Sequence, residues 1–331
     1  MSFFAVLFAF LVEQLKPLPN LNPVHHGLSS WVNWAGRNFD AGAPVHSRVV
    51  WAITVLGPAA LLGLVYVLLN RYSTVLALGW DVLVLYTTLG FRQFSHHFTD
   101  IRDALDNGRE DQARELLAEW RHVDASELPR TELLRHVIEH SLLAAHRHVF
   151  GVFFWFVALS TLGLGPMGAV LYRMAEFTSR YWSYKSQATG APTHDGLMAL
   201  SQRLFLWLDH VPARMTAFGF AVVGNFEDAV EAWRRHAGLW TNTNEGTILS
   251  AASGAVGVSL GGKAAPLVSP ERDVSRTLNG GEEPDAATAA GSTSGAAPQM
   301  AHLRSLVALI WRSVVLWMLL LALLSLANLI G

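Results

Sequence analysis

Residues 49–69 read VVWAITVLGPAALLGLVYVLL, a stretch of 21 residues without a charged side chain. At about 1.5 Å per residue, a helix of this length covers roughly the 30 Å hydrocarbon core of a bilayer. The stretch therefore predicts a transmembrane helix, and it indicates the fold class of the whole chain.

A second apolar stretch follows almost at once, because only Asn70 and Arg71 separate it from the first. Residues 72–91 read YSTVLALGWDVLVLYTTLGF, with Asp81 as the single charge. Together the two stretches predict an antiparallel transmembrane hairpin. A carboxylate near mid-span is costly, so Asp81 is expected to face the bundle interior, either as a structural contact or in a ligand site.

The composition also favours a membrane environment. Of the 331 residues, 51% are hydrophobic and 15% are charged, and the chain contains 12 Trp and 17 Phe. It has no cysteine and a formal net charge of −2. These values exclude a disulfide framework and give no basic excess for a nucleic-acid partner, so the bilayer is the expected partner.

The remaining sequence completes an all-α, polytopic membrane bundle. Its apolar N-terminal run ends at Glu13, too soon to cross a bilayer, so a short packed helix is expected there. Gly, Ala, Pro and Ser dominate the segment before the last apolar run, which predicts disorder. The predicted parts are 1–91 (N-terminal helix and hairpin, 49–69 and 72–91), 92–148 (polar helical segment), 149–262 (third span at 149–172, then a semi-apolar, re-entrant or surface region), 263–304 (disordered linker) and 305–331 (C-terminal span).

Residues 136–140 read HVIEH, which matches the inverted zinc-protease pattern H-x-x-E-H. His136 and His140 lie one turn apart on a helix and can share a metal, with Glu139 as general base. However, Arg147 falls on the same polar side and no third ligand is specified. The alternative is a solvated face rich in His and Arg, so zinc is only a weak prediction.

A broader pattern extends from Glu139 to the glycine-rich end of the semi-apolar region. Its pieces are Phe154-Trp155, Tyr172-Arg173, Pro212-Ala213-Arg214 and the glycines between 254 and 262. Their order and spacing resemble the CobD/CbiB family of cobalamin-biosynthesis membrane proteins over nearly the whole chain. The family also includes an AmpE branch linked to β-lactamase regulation.

The resemblance implies a specific chemistry. Synthase members of the family join cobyric acid to an aminopropanol or its phosphate in an ATP-dependent reaction, which needs carboxylates to hold Mg²⁺ against phosphates. Several acidic positions of the synthase motifs are absent from this sequence. The polar positions that remain are Glu13, Asp124, Arg135, Glu139, Arg214 and Asn244.

These losses favour a diverged, AmpE-like regulatory protein of the bacterial inner membrane. It is expected to need no cofactor and to bind a small anionic or amphipathic ligand, or a regulatory partner. One cavity is expected, lined by Glu13, Asp81, Arg135, Glu139 and Arg214. The expected ligand-binding residues are Asp81, Arg135, Glu139, Arg214 and Asn244. The alternative is an adenosylcobinamide-phosphate synthase that binds Mg-ATP through Glu13, Asp124 and Glu139.

Overall fold

The computed structural model describes residues 2–15, 23–39, 44–121, 125–188, 195–262 and 291–330. These residues form helices and loops, with two isolated β-bridges and no strand, so the predicted all-α fold class is confirmed. The helices are α1 (Ser2–Leu15), α2 (Pro23–Phe39), α3 (Pro44–Trp51), α4 (Gly57–Tyr72), α5 (Thr74–Thr88), α6 (Phe91–Asp106), α7 (Glu110–Arg121), α8 (Arg130–Ala145), α9 (Gly151–Ser160), α10 (Met167–Ala188), α11 (Asp195–Val223), α12 (Phe226–His236), α13 (Thr243–Val256) and α14 (Met300–Ile330).

Among the described residues, three helical stretches are long and apolar enough to cross a membrane: Val45–Tyr72, Arg130–Ser160 and Met300–Ala327. The first joins α3 to α4 through a π-helical turn, Ala52–Leu56, just before Pro58. Proline has no N–H to donate to the preceding turn, which explains the local widening. The helix α5 completes the predicted hairpin but has only 15 residues.

The third apolar helix lies earlier in the chain than the predicted 149–172 span. It runs from Arg130 to Ser160 through α8, a second π-helical turn and α9, and it ends before residue 172. Gly163 and Gly165 have φ angles of 76° and 55°, in the left-handed region that ends helices. Because Pro166 follows them, the chain turns there and starts α10 at Met167.

The chain divides into two compact units. The first comprises Met1–Gln93, Arg147–Pro212 and Met318–Gly331. Within it, α5 packs against α1 and α4, and α10 packs against α4 and α9. The contact between α9 and α10 is close, since a Cβ atom at Gly168 would lie 1.9 Å from the carbonyl oxygen of Trp155. Small residues permit such close helix packing in membrane proteins.

The second unit comprises Phe94–His146 and Ala213–Trp317. Its central element is α13, whose residues from Asn244 to Gly254 are all buried except Glu245. The helices α8 and α12 pack against α13, and α7 packs against α8. The turn between α6 and α7 lies at the predicted Asn107-Gly108 pair, where Gly108 has a φ of 72°.

The end of the predicted linker is ordered. Residues 291–299 lie beside the loop that follows α13, with bridges from Val258 to Ala296 and from Gly261 to Ser292. The last helix already begins at Met300, five residues before the predicted start of the last segment. Hydrogen bonds to the preceding loop fix this segment despite its small-residue composition. Residues 263–290 lie outside the described part of the chain.

Candidate functional site

Two side chains of α8 hold the backbone of one glycine, Gly261, in the loop after α13. Glu139 Oε1 accepts a hydrogen bond from the N–H of Gly261 at 2.7 Å, and Arg135 donates to the carbonyl oxygen of Gly261. Arg135 and Glu139 are four residues apart and so share one face of α8. Arg135 also pairs with Glu132, one turn earlier. The result is a charged clamp on the backbone of a glycine-rich loop.

The clamped loop requires glycine at its centre. Gly261 has a φ of 72°, and a Cβ atom there would lie 1.7 Å from the carbonyl oxygen of Gly291. The loop is fixed further by Thr293, whose hydroxyl accepts from the N–H of Leu260 at 2.8 Å and contacts Ser253 Oγ at 2.7 Å. Residues far apart in sequence therefore fix the loop in a single conformation.

The face of α8 that carries HVIEH is not solvated as a whole. His136 is buried, and its Nδ1 atom lies 3.1 Å from Nη1 of Arg121, at the end of α7. Glu139 Oε2 lies 3.7 Å from the same ring nitrogen. His140 instead packs edge-to-face on Trp120, with ring centroids 4.4 Å apart. Because α7 covers this side of α8, the expectation of a wholly solvated face is wrong for His136.

A second polar contact of the same unit joins α11 to the start of α13. Arg214 Nη1 donates to Oδ1 of Asn244 at 3.4 Å. Asn244 is buried, and the side chain of Asn242 caps the helix by accepting from the N–H groups of Asn244 and Glu245. Arg214 is therefore held at the N-terminal turn of the unit's central helix.

The structure thus brings part of the predicted set into one unit. Arg135, Glu139, Arg214 and Asn244 lie on α8, α11 and α13, and the first and last of these helices pack on each other. Within the described ranges, no three His, Asp or Glu side chains approach one another as metal ligands.

The other predicted residues lie elsewhere. Glu13 and Asp81 belong to the first unit, on the packed helices α1 and α5, and both are buried. Oδ1 of Asp81 has no hydrogen-bond partner among the residues that the structure describes. Asp124 lies outside the described residues. The single cavity expected from the sequence therefore remains a prediction for these three side chains.

Sequence analysis missed a buried ion cluster in the first unit. Glu176 is fully buried between Arg173, whose Nη1 lies 3.0 Å from Oε2, and Arg180, whose Nε lies 2.5 Å from Oε1. Burial raises the pKa of this carboxyl, but Arg180, Arg173 and Arg147 outweigh it and hold the pKa below its usual value. The sequence carries a signal for this cluster, because Arg173 and Arg180 lie at i−3 and i+4 relative to Glu176 and therefore share one face of a helix with it.

Another buried contact in that unit links α10 to α11. The hydroxyl of Tyr172 donates to Oδ1 of Asp209 at 2.7 Å, and both side chains are buried. The Tyr172-Arg173 pair is one of the motifs noted in the sequence. Its two side chains bind two different buried carboxylates: Tyr172 contacts Asp209, and Arg173 contacts Glu176. The contact between Tyr172 and Asp209 is not visible in the sequence, because α10 and α11 are separate helices.

Fold and site together define a helical membrane protein with a partly buried glutamate–arginine clamp on a glycine loop. The sequence matches the family described as CobD/Cbib protein over residues 4–290, and the chain belongs to this family.

Two relatives carry the name "Cobalamin biosynthesis protein CobD". The protein of Stutzerimonas stutzeri (strain A1501) is 30% identical over 278 residues, which cover 83% of this chain and 81% of the relative. That of Chromobacterium violaceum is 35% identical over 183 residues, or 55% of each chain. No solved structure matches the chain.

These relatives correct the main functional prediction. The expectation of a diverged, AmpE-like regulatory protein is wrong, because the similar proteins are named for cobalamin biosynthesis. The prediction gave too much weight to acidic positions missing from single motifs. Similarity over most of the chain, with Arg135 and Glu139 clamped on Gly261, outweighs those losses.

Proposed function

We propose that this protein is a cobalamin-biosynthesis enzyme that forms an amide between cobyric acid and an aminopropanol phosphate at the expense of ATP. The observation that carries the proposal is the clamp on Gly261 within the unit that also holds the Arg214–Asn244 pair. These are polar positions that the resemblance assigns to the synthases. The family membership and the names of both relatives support the same reaction class.

The reaction requires an activated carboxyl group. ATP transfers a phosphoryl or nucleotidyl group to the carboxylate, the amine nitrogen attacks the acyl carbon, and the C–N bond forms as the phosphate group leaves with the carboxyl oxygen. The amine gives up a proton in the process. The protein must therefore hold polyphosphate, keep the acyl group in place and exclude water that would hydrolyse it.

The residues of the second unit fit a magnesium–phosphate ligand. Mg²⁺ in nucleotide sites is commonly bound by one or two carboxylates together with substrate phosphates. Glu139 uses Oε1 on Gly261, and no hydrogen-bond donor among the described residues occupies Oε2. Glu139 Oε2 would hold the ion, which when bound neutralises phosphate charge. Arg214 is placed to bind a phosphate through its planar fork of N–H donors.

The loop clamp has a separate role in this proposal. Glu139 accepts from the N–H of Gly261 and Arg135 donates to its carbonyl oxygen, so that Glu139 cannot swing away from the site. A carboxylate held by a hydrogen bond needs no reorganisation when substrate arrives. The clamp therefore orients the proposed magnesium ligand as well as the loop.

The proposed location is the bacterial inner membrane, with the bilayer as partner. Both relatives are bacterial, and three helical stretches among the described residues are long and apolar enough to cross a membrane. ATP is supplied from the cytoplasm, which favours a site open to that side. Reporter fusions before Val45 and after Tyr72, at the two ends of the first apolar stretch, test this orientation.

The proposed reaction is tested with purified protein, cobyric acid, aminopropanol phosphate and Mg-ATP, with mass detection of the amide. The substitution Glu139→Gln keeps an oxygen for the N–H of Gly261 but removes the charge, so we expect amide formation to fall by about 10- to 100-fold with little change in melting temperature.

The matched control is Glu231→Gln, on the exposed face of α12, which is expected to retain full activity. Genetic complementation of a bacterium lacking its cobinamide-phosphate synthase provides a second readout. Absence of the amide, with the wild-type protein verified in the membrane, would overturn the proposed function.

A further inference from the structure

His136 is a buried histidine that the proposed reaction does not yet use. Its side chain is 8% exposed, and it lies on α8 one turn before Glu139. Its two ring nitrogens have different surroundings. Nδ1 faces Nη1 of Arg121 at 3.1 Å, whereas Nε2 is buried without a hydrogen-bond partner among the described residues.

The contact with Arg121 fixes the tautomer of this ring. A guanidinium has only N–H donors and keeps its charge, so the nitrogen that faces it must accept the hydrogen bond. The nearest carboxylate oxygen, Oε2 of Glu139, is 3.7 Å from Nδ1 and too far to take a proton from it in a hydrogen bond. A neutral imidazole carries one N–H, which is therefore on Nε2.

An N–H group that is buried without an acceptor is unusual. Leaving such a donor unpaired destabilises the folded protein, and native proteins pair the large majority of them. Because Nδ1 already accepts from Arg121, the ring cannot relieve the cost by changing its tautomer. The missing partner must be an acceptor, and Glu139 is a neighbour of His136 on α8, three residues later.

We propose that the Nε2–H of His136 binds an anionic oxygen, carboxylate or phosphate, of a substrate held beside Glu139. The guanidinium groups of Arg121 and Arg135 favour an anionic acceptor over a neutral one. Arg121 is a positioning residue that fixes the tautomer. The HVIEH stretch then serves substrate binding, since neither ring nitrogen of His136 offers a free lone pair to a metal.

The hydrogen bond is tested directly with ¹⁵N-histidine-labelled full-length protein in nanodiscs. In the free protein, the ¹⁵N shifts of His136 are expected to report a protonated Nε2 and an accepting Nδ1. The ligand additions are inorganic phosphate, Mg-ATP and cobyric acid, each alone. A shift at Nε2 with phosphate or ATP identifies a phosphate group as the acceptor, and a shift with cobyric acid alone identifies a carboxylate.

The control in the same spectra is His140, whose ring packs on Trp120 and whose shifts are expected to stay unchanged. The proposal is overturned if His136 carries its proton on Nδ1, or if none of the three ligands moves its Nε2 signal. These readouts do not depend on turnover, so a failure of the proposed function remains distinguishable from a failure of this inference.

The identity of the substrate does rest on the proposed function, and kinetics test that part. His136→Leu removes the donor, and we expect KM for the substrate identified by the shifts to rise about 10- to 100-fold, as expected for a lost hydrogen bond to a charged group. His136→Gln, whose amide nitrogen can replace Nε2–H, is expected to restore KM to within a few-fold of wild type. Equal losses in both variants would show a purely structural role and overturn the proposal.

Discussion

At the residue scale, the structure shows a contact of Arg214 that the sequence does not specify. Its side chain extends from α11 to Asn244 at the first turn of α13, and the distance between Nη1 and Oδ1 is 3.4 Å. From the sequence alone, an arginine in this semi-apolar stretch could equally bind lipid phosphates. The contact with a buried asparagine instead turns this arginine toward the interior of the second unit.

The substitution Arg214→Lys tests this role. Lysine keeps the charge but loses the planar fork that matches a phosphate, so we expect KM for Mg-ATP or aminopropanol phosphate to rise about 10-fold. The measurement is steady-state amide formation with each substrate varied in turn. The control is Arg235→Lys, whose side chain is 70% exposed. An unchanged KM for both substrates would contradict a phosphate-binding role.

Glu176 provides a residue-scale prediction of pH dependence. Its pKa is held below the usual value by Arg180, Arg173 and Arg147, against the effect of burial. A carboxyl group with a depressed folded-state pKa contributes stability that is complete above its unfolded pKa. That stability is lost as the pH falls through the folded-state pKa.

Glu176→Gln should therefore lower the melting temperature most at neutral pH. The loss of one partner of a buried ion cluster is expected to cost about 3 kcal/mol, because two arginines are left beside a neutral side chain. The difference from wild type should shrink as the pH is lowered below the usual carboxyl range. Thermal unfolding in detergent from neutral to acidic pH measures this. A difference that is constant with pH would contradict the assignment.

At the scale of elements, the loop after α13 depends on a glycine that no side chain can replace. Gly108 and Gly261 both have a φ of 72°, but only Gly261 has a backbone oxygen where its Cβ atom would lie. Alanine variants at these two glycines therefore distinguish the effect of backbone strain from that of a steric clash.

The expected result is a large difference between the two alanine variants. Gly108→Ala adds only the left-handed strain, about 1–2 kcal/mol, and should retain activity. Gly261→Ala must also displace Gly291 or Trp240, so the clamp from Arg135 and Glu139 is expected to break and amide formation to fall at least 100-fold. Melting temperature and activity of both variants provide the comparison, and similar effects would argue against the clamp.

The helix α8 shows which features the hydrophobic periodicity of the sequence predicts and which it does not. The apolar positions Leu133, Val137 and Ile138 are buried, as their spacing indicates. The same pattern predicts that the opposite face of α8, which carries His136, is solvated. Burial of His136 arises because Arg121 of α7 covers that face, which is a contact between helices and not a property of either sequence segment.

At the scale of the whole molecule, the exposed leucines of α4 indicate its lipid contact. Leu64 is 56% exposed at the middle of this apolar helix, while Gly63 beside it is buried against Met167. We expect Leu64→Arg to cost about 2.5–3.5 kcal/mol of membrane insertion and to reduce the amount of full-length protein in the membrane fraction.

The control for this prediction is Tyr72→Arg, at the C-terminal end of the same helix. Tyr72 is 86% exposed, and an arginine at a helix end can extend its charged group to the headgroup region. We expect nearly normal membrane amounts for this variant. If both variants accumulate equally, α4 does not face lipid at Leu64.

The sequence by itself determined the class of this protein, because uninterrupted apolar runs such as 49–69 can satisfy their backbone polar groups in a bilayer only as helices. It also contained Arg135, Glu139, Arg214 and Asn244 as retained polar positions, and the resemblance to the CobD/CbiB family. The clamp on Gly261, the tautomer of His136 and the contact of Tyr172 with Asp209 were decided by tertiary structure alone. Each depends on a distance between atoms of different helices or turns, and the helical period fixes neighbours along one helix but not between helices.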